Sequence, residues 1–172
     1  MATYSSDAIR SVFVTGLKNA HAVEHQALGL IDRQLDRIEN FPEIADRLRL
    51  HRGETEQQIV RLGTIFDQLG ESNSTLKDTA LSLSGNLAAL THSFAEDEIL
   101  KNSFANVAFE HFEASAYKSL ITLADAGGFA SATPLLQETL REELSMADWV
   151  DQRLPDITLR YLSLHQSDAA SH

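Results

Sequence analysis

Between Ser6 and Glu39, apolar side chains return every three or four positions. Ile9, Phe13, Leu17, Ala20, Leu28, Ile31, Leu35 and Ile38 fall on one stripe of an α-helix. Three more long segments carry the same period, and no stretch shows the β-branched alternation of a strand. Helices of this kind bury their stripes against one another, so the pattern calls for a bundle. The second helix runs from Pro42 to Leu69, between the break Asn40-Phe41-Pro42 and the stop Gly70, with Ile44, Leu48, Thr55, Ile59, Leu62, Phe66 and Leu69 inward. The third runs from about Asp97 to Ala126, closed by Gly127-Gly128, and Phe109, Phe112, Ala116, Leu120 and Leu123 form its stripe. The fourth starts near Ser131 with Pro134 in its first turn and is expected to end before Pro155. The segment DITLRYLSL then reads as a further short helix, and QSDAASH as a frayed tail.

The stretch from Glu71 to Glu96 is small and polar, too long for a tight turn between antiparallel neighbours. It is read as a crossover containing one or two short helices. The expectation is therefore all-α: a ferritin-like four-helix bundle of two helical hairpins joined by a long crossover. All 172 residues form one domain in this reading, with a core over 6–154 and a C-terminal segment over 155–172.

Carboxylates interrupt the stripes. Glu24 is the one charged residue near the centre of the first stripe, Glu143 lies at the centre of the fourth, and Glu113 falls within the third. Glu54 sits at the flank of the second, roughly 80° from its centre by the ideal helical period, whereas His51 faces inward. The spacing repeats: Glu24 to Glu54 is thirty residues, and so is Glu113 to Glu143. A shift of 89 residues lays Glu24 on Glu113, Glu54 on Glu143 and His21 on Glu110. Two such hairpins around a pseudo-twofold axis would bring four carboxylates together at mid-bundle, with Glu110 and His21 one turn away.

So many carboxylates cannot all ionise in a dry core without positive charge between them. No Lys or Arg is read onto the inward stripes at this level, and a pair of metal cations would supply the charge. Oxygen-rich sites suit iron, manganese or magnesium, and a histidine tilts the choice toward a transition metal. The candidate ligands are Glu24, Glu54, Glu110, Glu113, Glu143 and His21. A single glutamate near an apolar face is ordinarily a snorkelling or paired side chain; the repeated spacing is what carries the metal reading. His51 alone reads as a hydrogen-bonded core histidine that orients Glu54. Tyr117 and Trp149 read as packing aromatics.

Other classes are disfavoured. The charge of −11 repels nucleic acid and anionic membranes. No apolar leader or run of 18 apolar residues occurs, which gives a cytoplasmic expectation. With no cysteine, thiolate-ligated zinc and iron–sulfur sites are excluded.

The segments AVEHQAL, HRGETEQQIVRLGTIFDQLG, FEHFEASAYKSLITLA and LLQETLREELSMADW resemble the YciF/YciE-like stress proteins, a branch of the ferritin-like superfamily, in the same order across both hairpins. The resemblance implies a ferritin-like bundle, dimeric, associated with bacterial stress responses and without a settled activity. The wider superfamily binds two irons through one Glu on each of the first and third helices and a Glu-x-x-His on the second and fourth. Its glutamates fall on Glu24, Glu54, Glu113 and Glu143, and Glu110-x-x-Glu113 resembles the rubrerythrin third helix. Its histidines do not carry over, because Gln57 and Met146 stand there. The expectation is a homodimer holding two iron ions, with manganese as the second choice, and a small redox substrate if it acts on one. The competing expectation is a metal-free structural or interaction bundle with a degenerate site.

Overall fold

A computed structural model describes residues 5–71 and 97–167. The predicted short helices of the crossover and the predicted frayed tail from Asp168 onward lie outside the described residues. Four helices account for nearly all the rest: α1 (Ser6–Leu35), α2 (Pro42–Leu69), α3 (Glu98–Gly127) and α4 (Thr133–Gln166). Their ends follow local chemistry. The Ser5 hydroxyl accepts from the Ala8 N–H at the start of α1, and Pro42 opens α2, where a missing N–H costs nothing. Gly70 and Gly128 close α2 and α3 with φ of 69° and 73°, a left-handed conformation that a side chain disfavours.

Cross-helix pairs fix the topology. Gln34 and Asn106 exchange amide hydrogen bonds of 2.9 and 3.0 Å between α1 and α3, while Tyr117 reaches Glu24 nearer the middle. These two helices are therefore antiparallel neighbours. Arg61 on α2 forks over Glu142 on α4 with two bonds of 2.7 Å, and Arg160 approaches Glu43 at 3.8 Å, so α2 and α4 are antiparallel too. Because α1 also packs antiparallel to α2, with Arg10 bound to Glu71 and Arg52 to Asp32, α2 and α3 run parallel. Joining the end of one to the start of the other takes a connection that runs the length of the bundle.

The core has two apolar ends. One contains Phe13, Leu17, Leu62, Phe66, Leu120 and Leu136; the other contains Ile31, Phe41, Leu48, Ile99, Met146 and Ile157. A polar layer of buried glutamates lies between them. Two sequence expectations need amendment. The fourth helix does not stop before Pro155: it continues to Gln166 with the proline inside it. Ile157 is buried there, and Tyr161 and Leu164 pack on the second apolar end, so tertiary burial outweighs the lost backbone bond. Phe112 does not belong to the buried stripe of α3 but is 52 % exposed, because the inward face runs through Glu110, Glu113, Tyr117, Leu120 and Ala124.

Candidate metal centre

Each helix turns at least one ionisable side chain into the middle layer. Glu24 comes from α1, His51 from α2, Glu110 and Glu113 from α3, and Glu143 from α4; all are buried. The spacing of three residues between Glu110 and Glu113 puts both on the same face of α3, one turn apart.

His51 is the hub. Its Nδ1 lies 2.9 Å from Glu54 Oε2, which also receives a 3.0 Å hydrogen bond from Arg47. On the other side of the ring, Nε2 lies 3.0 Å from Glu110 Oε2 and 3.8 Å from Glu143 Oε2. The contact with Glu110 is a close charge contact rather than a well-aligned hydrogen bond, for that oxygen has no hydrogen-bond partner. Donor atoms of His51, Glu110 and Glu143 all lie within 4.8 Å of one another. That is near the span of ligands around a single ion with bonds of about 2.0–2.2 Å.

Burial pushes Glu54 upward, but the hydrogen bonds from His51 and Arg47 outweigh it and hold the carboxyl below its ordinary range. An ionised Glu54 only accepts, so Nδ1 carries a proton and Nε2 is the nitrogen that faces the other carboxylates. Burial alone would lower His51, yet Glu110 and Glu54 overcome it and raise the imidazole to about 9. Glu24 is raised to about 8 by burial, partly offset by the hydrogen bond that Tyr117 Oη donates to its Oε1. Burial, with Glu24 and Glu110 nearby, holds Glu113 well above the carboxylate range; burial and Glu113 do the same for Glu143.

Of the six residues singled out by sequence, Glu110 and Glu143 join the His51 cluster. Glu24 and Glu113 occupy the same buried layer on the α1–α3 side. Glu54 stands outside the layer, its side chain 22 % exposed, as its helical phase requires and its place in the repeat does not. It orients His51, the reverse of the order read from the sequence. His21 packs edge-on against His25 and Phe66, with ring centroids 4.6 and 6.3 Å away. The repeat is thus broken at this pair: Glu110 turns inward to the cluster, while its counterpart His21 packs against aromatic rings.

Two residues gained roles that the sequence reading did not give them. His51 is a cluster member, and its three-residue spacing to Glu54 is the mirror image of Glu-x-x-His. Tyr117, one turn after Glu113, is a hydrogen-bond donor to Glu24 as well as a core aromatic. Arg47 is also buried beside the layer, against the expectation that no cation reaches it. Gln57, at the expected imidazole position, is exposed, and Met146 is in the apolar core.

A four-helix bundle with a long connection between its second and third helices and a buried histidine–carboxylate layer defines the class of protein. Within that class the chain belongs to the family described as a domain of unknown function, DUF892, which it matches over residues 8–163. It is 29 % identical to Protein YciF of Escherichia coli K12 over 161 residues, covering 88 % of this chain and 90 % of that protein. The solved structure of the E. coli stress protein YciF superposes with a TM-score of 0.71 at 23 % identity, covering 92 % of this chain and 98 % of the other. A Xanthomonas campestris protein superposes with a TM-score of 0.77 at 25 % identity, covering 92 % and 99 %. YcfI, a putative structural protein from Rhodopseudomonas palustris, gives 0.66 at 20 % identity, covering 83 % and 92 %.

Proposed function

We propose that the protein is a stress-associated metal-binding bundle of the YciF type, holding a dinuclear iron or manganese centre in its carboxylate layer. One observation carries the reading: Glu113 Oε1 and both oxygens of Glu143 are buried without a hydrogen-bond partner, and Glu110 Oε2 has only its charge contact with His51. Orphaned buried carboxylate oxygens are expensive, and cations shared among them offset that cost. In this reading His51, Glu110 and Glu143 hold one ion, while Glu24 and Glu113 complete the second position. The donor set of one imidazole among carboxylates suits iron and manganese.

A bound pair of these metals would supply redox chemistry toward Fe(II) or peroxide. The chain's own part is to keep the ligands dry, to fix the His51 ring through Glu54 and Arg47, and to hold a proton on Tyr117 beside Glu24. We also propose a cytoplasmic homodimer, which size-exclusion chromatography with light scattering tests directly.

The decisive experiment is metal analysis after purification without chelator and again after anaerobic loading with Fe(II) or Mn(II). The expected result is one to two equivalents and a raised Tm. Less than about a tenth of an equivalent in both preparations overturns the reading. The rival reading is a metal-free structural bundle, favoured by Gln57 pointing to solvent and Met146 filling the core. It expects Glu143→Gln to stabilise the protein as purified, whereas the metal reading expects the same variant to lose metal and Tm.

A further inference from the structure

Among the described residues, one face of the carboxylate layer is not sealed. Between α1 and α3 lies a groove of about 340 Å³, lined by Val12, Gly16, Ala116, Leu120 and their neighbours, with Glu24 and Glu113 among its walls. The volume is at the small end of the range of small-molecule pockets, about 300–1,000 Å³. Its rim carries two large apolar side chains left in water, Val12 at 56 % and Phe112 at 52 % exposure. Gly16 leaves room here for the end of the Leu120 side chain, which an added Cβ would meet at 2.9 Å.

The lining chemistry is lopsided. Apart from the two glutamates, the polar groups are Thr15, Asn19, Ser119 and the Tyr117 hydroxyl, which is spent on Glu24. There is no lysine or arginine among the lining residues. Glu113 Oε1, buried on the groove's inner wall, has no partner. An anionic head group would leave water here with no lysine or arginine among the lining residues to receive it. An uncharged hydroxyl can both donate to and accept from a carboxyl, and an apolar body fits the remaining wall.

We propose that this groove binds an uncharged, apolar-bodied alcohol, its hydroxyl resting on Glu113. This goes beyond metal binding and does not require it, since the groove and the free Glu113 oxygen are features of the protein alone. If the layer holds metal, the same groove delivers that hydroxyl to it.

The test uses 1-octanol and octanoate as matched probes, titrated by calorimetry into chelator-treated full-length protein at pH 7 and again after Mn(II) loading. Octanol is expected to bind saturably to the metal-free protein, and octanoate at least about tenfold more weakly. Ala116→Phe, which fills the groove from its half-exposed wall, should weaken octanol by about tenfold or more while leaving the helical circular dichroism and the metal content unchanged. Phe112→Ala, a change at an exposed rim position, provides a second variant that keeps the fold and should weaken octanol by a few-fold. Equal binding of the two probes, or no effect of Ala116→Phe on octanol, overturns the proposal. So does a shift from dimer to monomer in Phe112→Ala with no octanol binding to either species, which would give the groove to a second copy of the chain. Failure of Mn(II) to bind would sink the metal reading and leave the octanol result standing.

Discussion

His51 meets carboxylates through both ring nitrogens, and the two sides do different work. Glu54, tied to Arg47, fixes the proton on Nδ1; Glu110 and Glu143 surround Nε2, where a metal would bind. Partners behind a ligating histidine ordinarily tune affinity by about 10–100-fold. Glu54→Gln should therefore weaken Mn(II) or Fe(II) binding by about that factor without removing it, because Glu54 lies outside the group of donors formed by His51, Glu110 and Glu143. A competition titration against a chelator of known affinity checks this. Complete loss of metal would make Glu54 a ligand, and no change would make the Glu54–His51 contact incidental. The sequence pointed to this division only weakly. Helical phase set Glu54 on the flank, whereas the 89-residue repeat set it beside Glu143, and the backbone follows phase because a helix turns about 100° per residue regardless of ancestry.

At the scale of whole helices, the apolar period was enough to place α1, α2 and α3 to within a few residues, and the glycines at 70 and 128 marked two ends. What it could not show was how a buried side chain beyond a breaker would be used. Pro155 lacks an N–H and crowds the preceding turn, so local rules end the helix there. Ile157, two residues later, is buried against the end of the bundle formed by Phe41, Ile44 and Ile99, and that contact keeps the chain helical. Local strain and distant burial oppose each other at this one position. Pro155→Ala should therefore relieve the strain and keep the burial, raising stability by about 1–3 kcal/mol. The readout is a higher urea midpoint with an unchanged m-value. A lower midpoint would mean that a bend at Pro155 is what seats Ile157 and Tyr161. The same limit explains Phe112 on α3: an aromatic residue near the apolar stripe was legible, but only the packing of α1 against α3 shows that it stands at the rim of a groove.

For the molecule as a whole, the buried layer makes stability a function of pH, and metal should counter the trend. Glu24 rises from its ordinary 4.5 to about 8 on folding, and His51 from 6.5 to about 9. Glu113 and Glu143 are raised as well. In each case the folded protein binds a proton more tightly than the unfolded chain. The stabilisation is complete below the unfolded value and is lost as pH climbs through the folded one. The chelator-treated bundle should therefore lose Tm steadily as pH rises from 5 toward 9, first as the glutamates ionise and then as His51 gives up its proton. The excess of surface acid pushes the same way, so a control is needed. Glu143→Gln removes one of these buried protons while leaving the surface untouched, and it should flatten part of the alkaline slope in the metal-free protein. Metal competes with protons for the same atoms, so it binds better as pH rises. The gap in Tm between loaded and chelated protein should accordingly widen from pH 6 to pH 8. A gap that narrows over that interval would mean the ion sits elsewhere, because no site built from Glu24, His51, Glu113 and Glu143 can gain metal affinity by gaining protons.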